Sequence, residues 1–122
     1  MALRILLADD HEIVRRGLRA LLEKHEGWEV CGEASDGREA VEKALQLKPD
    51  VVIVDIGMPN LDGYEVAKTI RATPWGRNIL LVAVTGWGKE EDRRRAFEMG
   101  FDHHLTKPAC AEDIEGILTK HQ

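Results

Sequence analysis

At 122 residues the chain has room for one hydrophobic core and not two, which predicts a single domain over 1–122. Hydrophobic residues at 43% and charged residues at 32% are ordinary for a globular protein and exclude a disordered chain. A formal net charge of -5 leaves no basic footprint, and no apolar run approaches membrane-spanning length, so neither nucleic acid nor a bilayer is expected as a direct partner.

Arg4–Ala8 (RILLA) is a continuous apolar run, the pattern of a strand buried on both faces of a parallel sheet. Val14, Leu18, Leu21 and Leu22 then form the stripe of a first helix. Glu29–Ala34 is more polar, as a strand near a sheet edge would be. Asp36-Gly37-Arg38-Glu39 reads as a capping box, opening a helix with Ala40, Val41, Ala44 and Leu45 inward. Val51–Val54 is a second buried run. Asp62-Gly63-Tyr64-Glu65 repeats the capping signature ahead of the Tyr64–Ala67 turn, Val66 and Ile70. Ile79–Val84 is the third buried run, followed by a helix near Lys89–Met99 with a thin apolar side of Ala96, Phe97 and Met99. Asp102–Thr106 is another edge-like strand, and the last helix carries Ile114, Ile117 and Leu118. Five strands alternating with five helices predict an α/β fold: a doubly wound parallel sheet with right-handed crossovers and helices on both faces. Cys31 and Cys110 show no metal-type spacing and are expected as reduced thiols. No secretory signal is read at Met1, and a cytoplasmic location is expected.

In open parallel sheets, ligands sit outside the carboxyl ends of the strands. Asp9 and Asp10 follow strand one there, Asp55 ends strand three, Thr85 ends strand four and Lys107 follows strand five. Taken singly, an aspartate can cap a helix, a threonine can sit in a turn and a lysine can be solvated. Asp55 resists that reading, because it follows four buried apolar residues and burying a charge is costly. Three crowded carboxylates call for a cation, and oxygen-only ligation suits Mg²⁺ shared with a phosphate. Lys107 adds a compact positive charge, and Thr85 a hydroxyl donor.

The Leu7-Ala8-Asp9-Asp10 ending, Val54-Asp55-Ile56-Gly57-Met58-Pro59 with Asp62-Gly63 behind it, Val84-Thr85-Gly86 and Lys107-Pro108 together resemble the motif set of response-regulator receiver domains. The resemblance covers essentially the whole chain. It implies a flavodoxin-like five-stranded sheet in the order 2-1-3-4-5, with Asp55 as the phosphoacceptor. Asp10, Asp55 and the Gly57 main-chain carbonyl would ligate Mg²⁺, with Asp9 acting through water, while Thr85 and Lys107 contact the phosphoryl group. The Lys107–Pro108 bond is expected to be cis. The donor would be a phosphohistidine on a sensor histidine kinase or histidine phosphotransfer domain. The same site would slowly hydrolyse its own acyl phosphate, without catalysing any metabolic reaction. Readout would fall to a downstream partner or an effector domain not present in the chain.

In such receivers the threonine moves on phosphorylation, and an aromatic residue three positions before the lysine swings inward. Here that position is His104, a departure that puts the aromatic half of the Thr85 switch in question. His103 and His104, adjacent on a strand, point to opposite faces and do not form a metal pair. His11 reads as helix-start surface. The Leu7–Glu23 region resembles receivers that precede helix-turn-helix output domains, whereas Val82–Pro108 resembles receivers of hybrid histidine kinases. Kinase docking is expected at Ile13, about 100° off the buried stripe of helix one, with Gly17 one turn on and Pro108. Gly57 and Trp87 would flank the path of an attacking water, and Trp87, which offers no acceptor, would prolong the phosphorylated state.

Three other readings fit the sequence less well. A flavin-type phosphate binder would not place Asp9 and Asp10 where a phosphate sits. A haloacid-dehalogenase-type phosphatase needs an aspartate where Gly57 stands. A degenerate or engineered scaffold of the same fold, acting only by protein binding, is disfavoured because every acidic, hydroxyl and lysine position is filled.

Overall fold

The computed structural model describes residues 3–56, 63–85, 90–106 and 111–120. Its strands are β1 (Leu3–Ala8), β2 (Trp28–Ala34), β3 (Val51–Asp55), β4 (Leu80–Thr85) and β5 (His103–Thr106). Its helices are α1 (Glu12–Glu23), α2 (Gly37–Leu47), α3 (Gly63–Arg71), α4 (Glu90–Glu98) and α5 (Ala111–Lys120), with a short 3-10 turn at Trp75–Arg77. The strands form one sheet in the order β2-β1-β3-β4-β5, and every pairing is parallel.

Successive strand residues face opposite ways, so each run of apolar residues feeds two cores. Leu6, Ala8, Val52, Val54, Leu81 and Ala83 pack beneath α2, α3 and Ala96 of α4. Ile5, Leu7, Ile53, Val82 and Val84 pack against Leu18 and Leu22 of α1 and Ile114 and Leu118 of α5. The edge strands are β2 and β5, the two read as polar. Among the described residues no helix is long and apolar enough to cross a membrane.

Some local expectations are corrected. The buried side of α1 is Leu18 and Leu22 alone; Val14 and Leu21 remain 41% and 40% exposed. Leu18 and Leu22 are one turn apart and take the sheet contact, whereas Leu21 is rotated by about 100° from Leu22 and Val14 lies in the first turn. Leu45 and Phe97 are likewise exposed; Leu47 packs on the core in place of Leu45, while Ala96 and Met99 lie on it as expected. Strand β2 begins one residue early, at Trp28. Strand β5 begins one residue late, because the Asp102 carboxylate is taken up by the Leu81 N–H (2.9 Å) and Arg71 (2.7 Å).

The α2 cap forms as the sequence indicated: Asp36 accepts from the Glu39 N–H at 2.8 Å. Glu39 returns a bond to the N–H of Ser35, one residue before the N-cap. The second capping box begins at Asp62, which lies outside the described residues.

Candidate functional site

Asp9 is the first residue past β1, and three bonds fix it. Its N–H donates to the Ala34 carbonyl (3.0 Å), its carboxylate accepts from the His11 N–H (2.8 Å), and its carbonyl accepts from Arg15 (2.8 Å). Arg15 is in turn held by Glu33 at 2.9 Å. Glu33 sits below the ordinary carboxylate range: partial burial pushes it up, but hydrogen bonds from Arg19 and Arg15 outweigh that. Asp9 is thus built into the frame while Asp10, next to it, is exposed.

Asp55 closes β3. Its successor Ile56 donates to the Val84 carbonyl at 3.0 Å, tying the strand end to β4. Gly63, the first residue of α3, packs directly on this segment. Its N–H donates to the Ile56 carbonyl (3.1 Å), and a Cβ there would lie 2.7 Å from Ile56 Cα and 3.2 Å from the Asp55 carbonyl oxygen. The sequence Asp62-Gly63 therefore has a steric reason at its glycine.

Asp9 and Asp55 are only 4% and 5% exposed. One ligand-type atom from each of Asp9, Asp10, His11 and Asp55 lies within 4.8 Å of the others. Three like charges this close repel unless a cation joins them, and hard carboxylate oxygens suit Mg²⁺. The donor set fits that ion. His11 occupies the N-cap position of α1 without capping it through its side chain. Its Nδ1 instead lies 3.2 Å from Asp9, 3.1 Å from Asp10 and 3.9 Å from Asp55. The ring is largely exposed, as a helix-start residue would be, yet it turns back onto the acids.

Thr85 ends β4 and is 4% exposed. Its Oγ1 lies 2.9 Å from His104 Nε2, so the two positions read as a switch pair are in contact. Gly57, Trp87, Lys107 and Pro108 lie outside the described residues, as do Met58, Pro59, Gly86 and Cys110. Ile13 is 87% exposed, and a Cβ on Gly17 would meet nothing within 4 Å, so α1 presents an open apolar strip beside the acids. Sequence reading passed over Arg15. Its signal was available, since Arg15 stands one helical turn past His11, within reach of the Asp9 backbone.

Residues 5–119 match the family model described as the response regulator receiver domain. The VraR response regulator protein of Staphylococcus epidermidis is 35% identical over 120 residues, covering 98% of this chain and 56% of the relative. The chain therefore spans about half the length of the curated relatives it matches. The signal receiver domain of a NarL response regulator from Mycobacterium tuberculosis superimposes with a TM-score of 0.90 at 26% identity, covering 98% of this chain and 95% of that one. The receiver domain of the Pseudomonas aeruginosa sensor histidine kinase PA1611, solved with magnesium coordinated in its active-site cleft, gives 0.87 at 29% identity, with 98% and 97% covered. These matches include both settings, regulator and sensor kinase, that different stretches of the sequence resemble.

Proposed function

The chain belongs to the response-regulator receiver family, and from that membership we propose that it is a switch that accepts a phosphoryl group on Asp55. The observation that carries this reading is the buried Asp55 carboxylate facing Asp9 and Asp10 at the carboxyl edge of the sheet. A carboxylate oxygen of Asp55 attacks phosphorus in line, a P–O bond forms, and the P–N bond to the donor's imidazole breaks. Asp10, Asp55 and the Gly57 carbonyl would hold Mg²⁺, with Asp9 reaching it through water. When bound, that ion offsets charge gathering on the equatorial phosphoryl oxygens. Lys107 and Thr85 serve the same oxygens, one as a cation and the other as a hydroxyl donor. The acyl phosphate then hydrolyses slowly in the same site, with Trp87 screening it from water.

The donor is a phosphohistidine of a sensor histidine kinase or histidine phosphotransfer domain in the cytoplasm. It docks on Ile13, Gly17 and Pro108. Output passes through a further domain or a separate partner, with 1–122 acting as the receiver unit. Intact-mass analysis after incubation with a small-molecule phosphodonor tests the central step. One phosphoryl group is expected, dependent on Mg²⁺ and absent in Asp55→Asn. A hydroxylamine-labile phosphate on Asp55→Asn would refute the assignment, and no adduct on the unaltered chain would favour a binding-only scaffold. Ile13→Glu should slow transfer from the cognate kinase and leave phosphorylation by the small donor intact.

A further inference from the structure

Strands β4 and β5 pair with Ala83 opposite His104 and Thr85 opposite Thr106. His104 therefore lies diagonal to Thr85 on the same face of the sheet, which is how its Nε2 comes within 2.9 Å of the Thr85 hydroxyl. A threonine hydroxyl carries one proton and two lone pairs. A neutral imidazole carries one N–H, so Nε2 is a donor in one tautomer and an acceptor in the other. Two arrangements satisfy the observed distance: Thr85 donates to a bare Nε2, or Nε2–H donates to Thr85. Only the second leaves the single hydroxyl proton for another acceptor.

We propose that His104 is a positioning residue whose ring tautomer sets the direction of the Thr85 hydroxyl and reverses when Asp55 is occupied. This rests on the phosphoacceptor reading above. With a phosphoryl group on Asp55, the Thr85 proton turns to a phosphoryl oxygen, and His104 is held with its proton on Nε2. The proton leaves Nδ1 and returns at Nε2 by exchange with water, so the ring's net charge is unchanged. Its two nitrogens simply trade donor and acceptor roles. A phenylalanine at this position has no ring donor or acceptor for such a relay, and a tyrosine carries its hydroxyl only at the far end of the ring. The edge strand β5 thus offers an output partner a different hydrogen-bonding pattern in the two states.

The test uses ¹⁵N-histidine-labelled protein near pH 8, above the ordinary imidazole range of about 6.5. Long-range ¹H–¹⁵N correlations of His104 are recorded with and without beryllofluoride and Mg²⁺, His103 being identified by His103→Gln. The ¹⁹F spectrum reports occupancy of Asp55 independently. Occupancy should move His104 toward the Nε2–H form. Thr85→Val, which loses one contact to the ligand and has no hydroxyl proton to direct, should show no such shift once beryllofluoride is raised until the ¹⁹F spectrum reports Asp55 filled. His104→Phe should slow phosphorylation by a small donor roughly three- to tenfold, the worth of one net hydrogen bond. His104→Gln, which keeps an N–H donor, should recover part of it. Bound ¹⁹F with unchanged His104 nitrogens would overturn the inference. No bound ¹⁹F signal in the unaltered chain would overturn the phosphoacceptor reading beneath it.

Discussion

The two ends of the same sheet handle charge in opposite ways. At the amino-terminal end, carbonyls and carboxylates take up the donors of Arg71 and Arg4. Arg71, at the close of α3, donates to the carbonyls of Gly100 (2.9 Å), Gly76 (2.8 Å) and Ile79 (2.8 Å) and to the Asp102 carboxylate (2.7 Å). Arg4 donates to the Leu47 carbonyl at 2.6 Å, and its N–H meets Asp50 at 2.9 Å. At the carboxyl end, three carboxylates converge instead, with Asp9 and Asp55 nearly buried. Satisfied charge locks the loops at one end, while like charge held together at the other stores repulsion that a cation relieves. Charge is thus satisfied at one edge of the framework and concentrated at the other.

Breaking the clamp should cost the most. Arg71→Ala removes five side-chain bonds, to Gly100, Gly76, Arg77, Ile79 and Asp102. A loss of about 3 kcal/mol is expected, from several net hydrogen bonds of about 0.5–1.5 kcal/mol each, with little added by the half-exposed ion pair. Urea unfolding would report it as a lower midpoint at unchanged slope. At low temperature the folded variant should still take up phosphate on Asp55. A variant that folds but cannot be phosphorylated would show that the two ends are not separable.

The contact between α3 and the Asp55–Ile56 backbone comes next. Gly63→Ala would force a methyl to 2.7 Å from Ile56 Cα, backbone that cannot move aside cheaply. A loss of about 2 kcal/mol is expected, within the usual range for overpacking. Unlike Arg71→Ala, it should also slow phosphorylation, since the displaced segment begins at Asp55. Equal stability losses with unequal chemistry would sharpen the contrast; normal phosphorylation in Gly63→Ala would blur it.

The acidic end should respond in the opposite direction. Asp10→Asn removes one of three repelling charges and should raise stability without metal by up to about 1 kcal/mol, as for other poorly screened like-charge contacts. Mg²⁺ should raise the melting temperature of the unaltered chain, because a ligand bound only by the folded state stabilises it. Most of that rise should vanish in Asp10→Asn. Thermal scans with and without Mg²⁺ check both signs. A destabilised Asp10→Asn would mean that the carboxylates are not in repulsion.

Much of this layout was legible in the sequence. The buried runs at 4–8, 51–54 and 79–84 identify the central strands, and the more polar stretches at 29–34 and 102–106 fell on the edges. The acid positions could be placed because parallel sheets collect their ligands at strand ends, a rule that needs only strand order. Side-chain direction was less readable. The α1 stripe came out too wide, since periodicity cannot tell how much of a helix a neighbouring sheet covers. The bend in β2, where Ile5 pairs with Val30 but Leu6 with Gly32, leaves no mark in composition. The 3-10 turn at Trp75–Arg77 depends on contacts between Gly76, Thr73 and the end of α3 that are only local in space once the helix exists. Arg15 was passed over, and His11 read as plain helix-start surface, for a related reason. Each looks like an ordinary residue of an exposed helix start, and only the path of the chain after Ala8 turns both toward Asp9.

The smallest expected effect lies between the two ends, at the ion pairs joining α1 to β2. Burial pushes the Glu33 carboxyl up, but bonds from Arg19 and Arg15 leave it below its ordinary value. A carboxyl whose folded-state pKa is depressed contributes stability above its unfolded value, about 4.3. That contribution is lost as pH falls through the lower, folded value. Glu33→Gln should therefore lower stability at neutral pH by about 0.5–1 kcal/mol, the scale of partly exposed pairs, and flatten the fall in stability below about pH 5. Chemical denaturation at a series of pH values would show it. Arg15 also donates to the Asp9 carbonyl, so freeing it from Glu33 should loosen the backbone that carries Asp9 and Asp10. A weakening of Mg²⁺ binding by roughly two- to threefold follows, equivalent to part of one net hydrogen bond. Unchanged Mg²⁺ affinity alongside the lost pH dependence would confine Arg15 to stability and move the boundary between the two regions up to Asp9 itself.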